Sequence, residues 1–469
     1  METYTNRTFD EIVIGESITV SRTLVPSDLE LVAFASGDVD TLQLNGEAAS
    51  APETGPQASG AGAAVFFAYL LHRRLPGPGS RILGENFDYG GRIAVGDTLT
   101  ATVTAREKLA EGHRVVFDCR CVNQNDDTLV AGTATVEAPT RRMSSSELST
   151  PQVILRRNDV FAHIIKACEA IPPVTCAVVH PCDRDSLLGP IEAAKRNLIV
   201  PVLVGPEAKI RAVADAEGVE LSPYRVVSTE HSHAAATEAV ALARAGEVES
   251  LMKGSLHTDE LMAAVVPSAT GLRTARRISH VFVIDVPTYP RMLLVTDAAI
   301  NIFPDLDVKV DIVQNAIDLA HVLGIPEPKV AIVSAVETIN TKIPSTTEAA
   351  SLCKMADRKQ ITGGLLDGPL AFDNAISLQA AKTKKIESPV AGQADILLMP
   401  DLEAGNMVAK QLQYLAGADS AGIVLGTRVP IVLTSRADSV RTRLASAAVM
   451  ALLAHHRRTG EIVMKAPHV

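Results

Sequence analysis

Three polar clusters directly follow short apolar runs: Thr296-Asp297, residues 400–406 and residues 434–438. In open parallel sheets ligands collect beyond the carboxyl ends of strands, so these clusters are the first places to look for binding and catalysis. Among the thiols, Cys182 in His180-Pro181-Cys182-Asp183 is of the type that can act as a nucleophile, but a buried small hydrophobe is the reading adopted. The six cysteines (Cys119, Cys121, Cys168, Cys176, Cys182, Cys353) include no C-x-x-C pair, which argues against a zinc site and a disulfide framework. Gly363-Gly364 does not meet the P-loop pattern, and no other glycine motif for nucleotide phosphates is present.

The elements that must position the clusters are legible as alternation. Apolar runs at 177–179, 201–204, 281–286, 330–333, 396–399 and 431–433 are separated by helical stretches, which predicts a parallel α/β sheet. The first part of the chain has an α+β pattern instead. Residues 60–75 are apolar on nearly every face, as in a helix covered by a sheet. Residues 98–105 and 113–121 alternate as half-buried antiparallel strands, with Val115, Phe117, Cys119 and Cys121 on one side, and a third strand is expected at 129–136. Residues 139–151, with Arg141, Arg142 and Ser144-Ser145-Ser146, lack an apolar period and read as a linker. The expected division is therefore 1–138, 139–151 and 152–469.

Composition narrows the partners. With 47% apolar and 21% charged residues over 469 positions, the chain has the makeup of a folded multidomain protein. Its 44 Lys plus Arg against 54 Asp plus Glu, a net charge of −10, oppose nonspecific attraction to nucleic acid or an anionic membrane and favour a small-molecule partner. The polar start and the lack of a long apolar run lead us to expect a cytoplasmic protein.

The strand ends in order read Met252-Lys253-Gly254, Gly271-Leu272-Arg273, Ser334-Ala335-Val336-Glu337, Asp367-Gly368-Pro369-Leu370-Ala371-Phe372-Asp373, Ser388-Pro389-Val390-Ala391-Gly392, Pro400-Asp401-Leu402-Glu403-Ala404-Gly405-Asn406 and Thr434-Ser435-Arg436-Ala437-Asp438-Ser439. This series resembles the phosphate acetyl/butyryl transferase family, and the TSRADS form looks more like its butyryl branch. The resemblance implies a two-lobed α/β, isocitrate-dehydrogenase-like fold with a cleft, in a homodimer or higher homo-oligomer. It implies a phosphate acyltransferase interconverting acyl-CoA plus phosphate with acyl phosphate plus CoA, in the acetyl to butyryl range. Coenzyme A and phosphate would be substrates, with no permanently bound cofactor.

Such transfer passes through a tetrahedral species whose oxygen carries negative charge while a phosphate attacks or leaves, so neutral and cationic donors are both needed. By resemblance Ser435 is the donor near the reacting carbonyl and Arg436 binds phosphate. Lys253, Arg273, Asn301 and Asn406 match recurrent polar positions of the family. Acetyl-transferring members carry a basic aspartate a few residues past that arginine, where this chain has Arg441 and Thr442. Asp438 is the nearest carboxylate, with a helix N-cap as its structural alternative. Asp297, Asp401 and Glu403 could hold a divalent ion if the lobe behaved like an isocitrate dehydrogenase, but the reaction needs none, and no metal is assigned.

Around residues 9–137, Phe34-Ala35-Ser36-Gly37-Asp38, Leu75-Pro76-Gly77-Pro78-Gly79-Ser80 and Val95-Gly96-Asp97, with the helix-in-sheet pattern, resemble the MaoC-type hotdog hydratases. Asp38 and Gly60 fit the aspartate and the helix-start amide of their enoyl-CoA site. The dyad histidine is replaced by Gln43, which cannot cycle a proton near neutral pH. His72 and His113 read as surface or structural residues. Three classes follow: the acyltransferase, an (R)-specific enoyl-CoA hydratase with an unexpected base, and a noncatalytic CoA-binding scaffold.

Overall fold

The computed structural model describes residues 3–25, 28, 31, 57–94, 96–146, 160–435 and 438–464. The chain divides into two compact units, Met1–Leu155 and Arg156–Val469. Among the described residues no helix is long and apolar enough to cross a membrane.

The first unit is built on a five-stranded antiparallel sheet in the order Ser17–Thr23, Thr98–Leu109, Arg114–Val122, Thr128–Glu137, Arg81–Tyr89. Period-two alternation sets its faces: Leu99, Ala101, Val103 and Ala105 are buried, as are Val115, Phe117, Cys119 and Cys121. The outward face of the edge pair is a ladder of hydroxyls, Ser17–Thr104, Thr19–Thr102, Ser21–Thr100 and Thr23–Thr98, at 2.8–2.9 Å. Such cross-strand pairs fix the register without apolar contact. The helix Val65–Arg73 contributes Phe67, Leu70 and Leu71 to the same core. It is shorter than the sequence suggested, because Gly60–Ala64 forms a 3-10 turn; two glycines in that stretch weaken an α-helical start. Ser144–Ser146, read as linker, pairs antiparallel with Thr3–Thr5.

The second unit is organised by an eleven-stranded sheet. Its spatial order is Arg225–Ser228, Ile199–Gly205, Val174–Val179, Ser250–Lys253, Ile431–Val432, Asp419–Leu425, Ser279–Asp285, Leu293–Thr296, Ile396–Leu398, Lys329–Val333 and Leu365–Leu370. Each of the six apolar runs falls on one of these strands, but the sheet is not purely parallel. The first five strands run one way and the last four the other, and antiparallel pairs through Asp419–Leu425 and Ser279–Asp285 join the blocks. The cause lies in connection length: residues 286–292 and 426–430 are too short for the crossover that a parallel return needs. The long helix Val440–Thr459 is buried nearly all round, from Arg443 to His455, and belongs to the main core.

Candidate active site

Lys253 and Ser435 follow neighbouring parallel strands, Ser250–Lys253 and Ile431–Val432, so the sheet delivers both to the same edge. The turn after Lys253 runs against the next strand: the amides of Gly254 and Ser255 donate to the carbonyls of Val179 and His180 at 2.9 Å. A Cβ on Gly254 would lie 2.5 Å from the Val179 oxygen, which is why only glycine fits. Lys253 is buried, and its Nζ donates to the Thr434 carbonyl at 3.2 Å.

The loop carrying Ser435 is held from two sides. Asp438 Oδ2 accepts the Ser435 amide at 2.7 Å, and Asp438 Oδ1 lies 3.8 Å from Lys410 Nζ on the helix Leu402–Leu415. Arg443 Nη2 donates to the Ser435 carbonyl at 3.1 Å. The Ser435 side chain remains exposed. Asp438 is not the helix N-cap: Ser439 caps Val440–Thr459 through the Thr442 amide, while Asp438, one residue earlier, folds back on the loop. Arg436 lies outside the described residues.

A second polar set follows a strand of the opposite block, Leu293–Thr296. Asp297, 2% exposed, accepts from the amides of Ala299, Ile300 and Asn301 at 2.9–3.2 Å and from Asn301 Nδ2 at 2.6 Å. Burial pushes its carboxyl above the ordinary carboxylate range. Asn301 also donates to the Ile278 carbonyl, and Asn406 Nδ2 donates to the Ala298 carbonyl. The helix Leu402–Leu415 thus touches both sets, Asn406 at the second and Lys410 one turn on at the first. Asp401 caps that helix through the Ala404 amide. Arg273 is exposed, beside Ser268 and Thr427, away from the Ser435 loop in the contacts it makes. Among the described residues no group of three or more His, Cys, Asp or Glu side chains is gathered as metal ligands.

Two participants escaped the sequence reading, Lys410 and Arg443. Each carried a weak signal: Lys410 stands one helical turn after Asn406, and Arg443 is a charge at the head of the apolar stretch Leu444 to Ala454. Cys182 sits where burial pushes its thiol up to about 11, which suits a structural role. In the first unit Gly60 opens the 3-10 turn before the helix, while Asp38 and Gln43 lie outside the described residues. His72 is exposed on the helix, and the His113 ring packs edge-on against Phe9 at 5.4 Å.

A family model described as Phosphate acetyl/butaryl transferase matches residues 225–451. A phosphate acetyltransferase of Rhizobium meliloti is 64% identical over 302 residues, which is 64% of this chain and 96% of that protein. The crystal structure of a branched-chain phosphotransacylase from Enterococcus faecalis V583 is 29% identical, covers 60% of this chain and 99% of that one, and superposes with a TM-score of 0.54. An R-hydratase from Pseudomonas aeruginosa in the unliganded form is 26% identical over 33% of this chain and 99% of that one, with a TM-score of 0.31. A strand-end array in the order expected, together with a relative matched almost end to end at 64% identity, places the chain in the phosphate acetyl/butyryl transferase family.

Proposed function

We propose that the chain is a phosphate acyltransferase interconverting acyl-CoA plus phosphate with acyl phosphate plus CoA, over the acetyl to butyryl range. The observation that carries the reading is the convergence of Lys253 and the exposed Ser435 at the ends of adjacent parallel strands. A phosphate oxygen attacks the thioester carbonyl carbon, the carbonyl electrons move onto oxygen, and collapse of the tetrahedral species breaks the C–S bond. In this reading the Ser435 hydroxyl donates to the carbonyl oxygen as its charge grows. Arg436 pairs with phosphate, for which a guanidinium offers two parallel donors. The Lys253 ammonium adds positive charge beside the same centre. Asp438 holds the Ser435 loop and is the carboxylate that exchanges a proton with the CoA thiol, whose ordinary pKa of ~8.5 requires a partner. Arg273, Asn301 and Asn406 are proposed to contact the CoA portion from the other side of the helix Leu402–Leu415.

Coenzyme A and phosphate enter as substrates, with no permanently bound cofactor or metal. We further infer a hotdog domain of MaoC type at 1–138, a linker at 139–151 and a two-lobed transferase at 152–469, joined in one chain. The helix packed on a five-stranded antiparallel sheet supports the first of these. A cytoplasmic homodimer or higher homo-oligomer fits the reading, and six unpaired thiols favour a reducing compartment. Release of CoA thiol from acetyl-, propionyl- and butyryl-CoA, each with and without phosphate, tests the activity. Phosphate-dependent release is expected; release with none of the three would overturn the reading.

A further inference from the structure

Arg443 is the bulkiest of the fully buried side chains among the described residues, at 1% exposure. Desolvating a guanidinium is costly unless charge and hydrogen bonds compensate, so its surroundings must be built for it. Its Nη1 donates to the Lys253 carbonyl at 3.2 Å and to Thr434 Oγ1 at 2.9 Å, and its Nη2 donates to the Ser435 carbonyl at 3.1 Å. Burial lowers its pKa, while Asp183, Asp438 and Asp185 oppose that shift and supply the counter-charge. Asp183 is the N-cap of the helix Arg184–Lys195. That same helix makes room for the arginine stem at Gly189, where a Cβ would lie 2.8 Å from Arg443 Cβ and Cδ.

The acceptors share a location. All three belong to residues that end the strands Ser250–Lys253 and Ile431–Val432 or follow directly on them. A side chain needed only to fill space would use its stem, and an apolar residue would serve in a helix whose buried positions are mostly Ala, Leu, Val and Met. A planar fork with several fixed donors is what joins two chain segments at a set separation.

We propose that Arg443 is a positioning residue for acyl transfer, its guanidinium tying the two strand ends together so that Lys253 and Ser435 address the same reacting carbonyl. The inference rests on the roles proposed above for those two residues. Arg443 itself touches no substrate; it acts through the main chain of Lys253 and Ser435 and the hydroxyl of Thr434.

The test compares Arg443→Ala, Arg443→Lys and Gly189→Ala in phosphate-dependent CoA release, with thermal unfolding followed for each and Ser435→Ala measured in parallel. Arg443→Ala is expected to lower kcat about 100-fold, the scale of a small misplacement of reacting groups, while KM for acyl-CoA stays within about two-fold. Added guanidinium ion should restore at least about ten-fold of that loss with saturation, and Arg443→Lys should remain impaired because an ammonium lacks the fork. Gly189→Ala gains helix propensity but forces the arginine stem to shift, so kcat should fall about ten-fold, with the unfolding temperature recorded to show that the variant remains folded. A folded Arg443→Ala enzyme with kcat within about two-fold of the parent, or one that guanidinium does not rescue, would overturn the proposal. If Arg443→Ala fails to fold, an unchanged kcat in Gly189→Ala overturns it instead. An unchanged kcat in Ser435→Ala would sink the catalytic assignment of Ser435, an outcome distinct from any behaviour of Arg443.

Discussion

The two polar sets at the strand ends of the second unit differ in where their hydrogen bonds go. At Asp297 they converge inward: three amides of its own turn and the Asn301 side-chain amide meet on a single buried carboxylate, while Asn301 also donates to the Ile278 carbonyl. Around Ser435 the arrangement is reversed. Its amide is bound by Asp438 and its carbonyl by Arg443, so the backbone is clamped while the side chain is exposed. A polar cluster after a strand is therefore not a site by composition alone. Where the polar groups satisfy the local backbone they hold the fold, and where other residues hold the backbone a side chain such as that of Ser435 stays exposed.

Four measurements test that contrast. The largest effect is expected from Ser435→Ala, a loss of about 100- to 1,000-fold in kcat with unfolding unchanged, as for removal of one oxyanion donor. Asp438→Ala should come next. Freeing the Ser435 amide and Lys410 is expected to cost about 10- to 100-fold in kcat, read from the same CoA-release assay. Asp297→Ala should act on the fold instead, lowering stability by about 2–3 kcal/mol because several buried donors lose their acceptor. Its kcat per folded molecule should stay near the parent value; a collapse of kcat at unchanged stability would give the Asp297 carboxylate itself a part in the chemistry.

The smallest effect concerns His280, fully buried between the two blocks, whose pKa burial lowers to about 4. A depressed value means that the unfolded chain, at its ordinary pKa of ~6.5, takes up the proton first. Its contribution is present above pH ~6.5 and is lost as pH falls toward the folded value, amounting to about 2 kcal/mol between pH 7 and pH 5. Urea unfolding at those two pH values should show that drop in the parent and a smaller one in His280→Leu; equal drops would remove His280 as the source.

Three strands of the first unit, Thr98–Leu109, Arg114–Val122 and Thr128–Glu137, were legible because alternation is local, whereas Ser17–Thr23 and Arg81–Tyr89, exposed along most of their length, gave no such signal. Leu99 to Ala105 and Val115 to Cys121 repeat with period two, and their burial follows directly. The apolar runs of the second unit were legible for the same reason, as was the order of its motifs. Helix ends were less so: Asp438 and Ser439 are both plausible caps, and only the fold-back of the Asp438 carboxylate onto the Ser435 amide assigns the cap to Ser439.

Local pattern in the sequence was enough to place six of the eleven strands of the second unit and three of the five in the sheet of the first, several of the polar groups that follow them, and the family that such a series implies. The tertiary structure decided direction and partnership. Strand direction depended on how far each connection could reach, which turned an expected parallel sheet into two opposed blocks. The partnership of Arg443 with the Lys253 carbonyl spans 190 positions of chain. Periodicity and spacing report on neighbours within a few residues, whereas a buried guanidinium finds its acceptors only when two distant strands have been laid side by side.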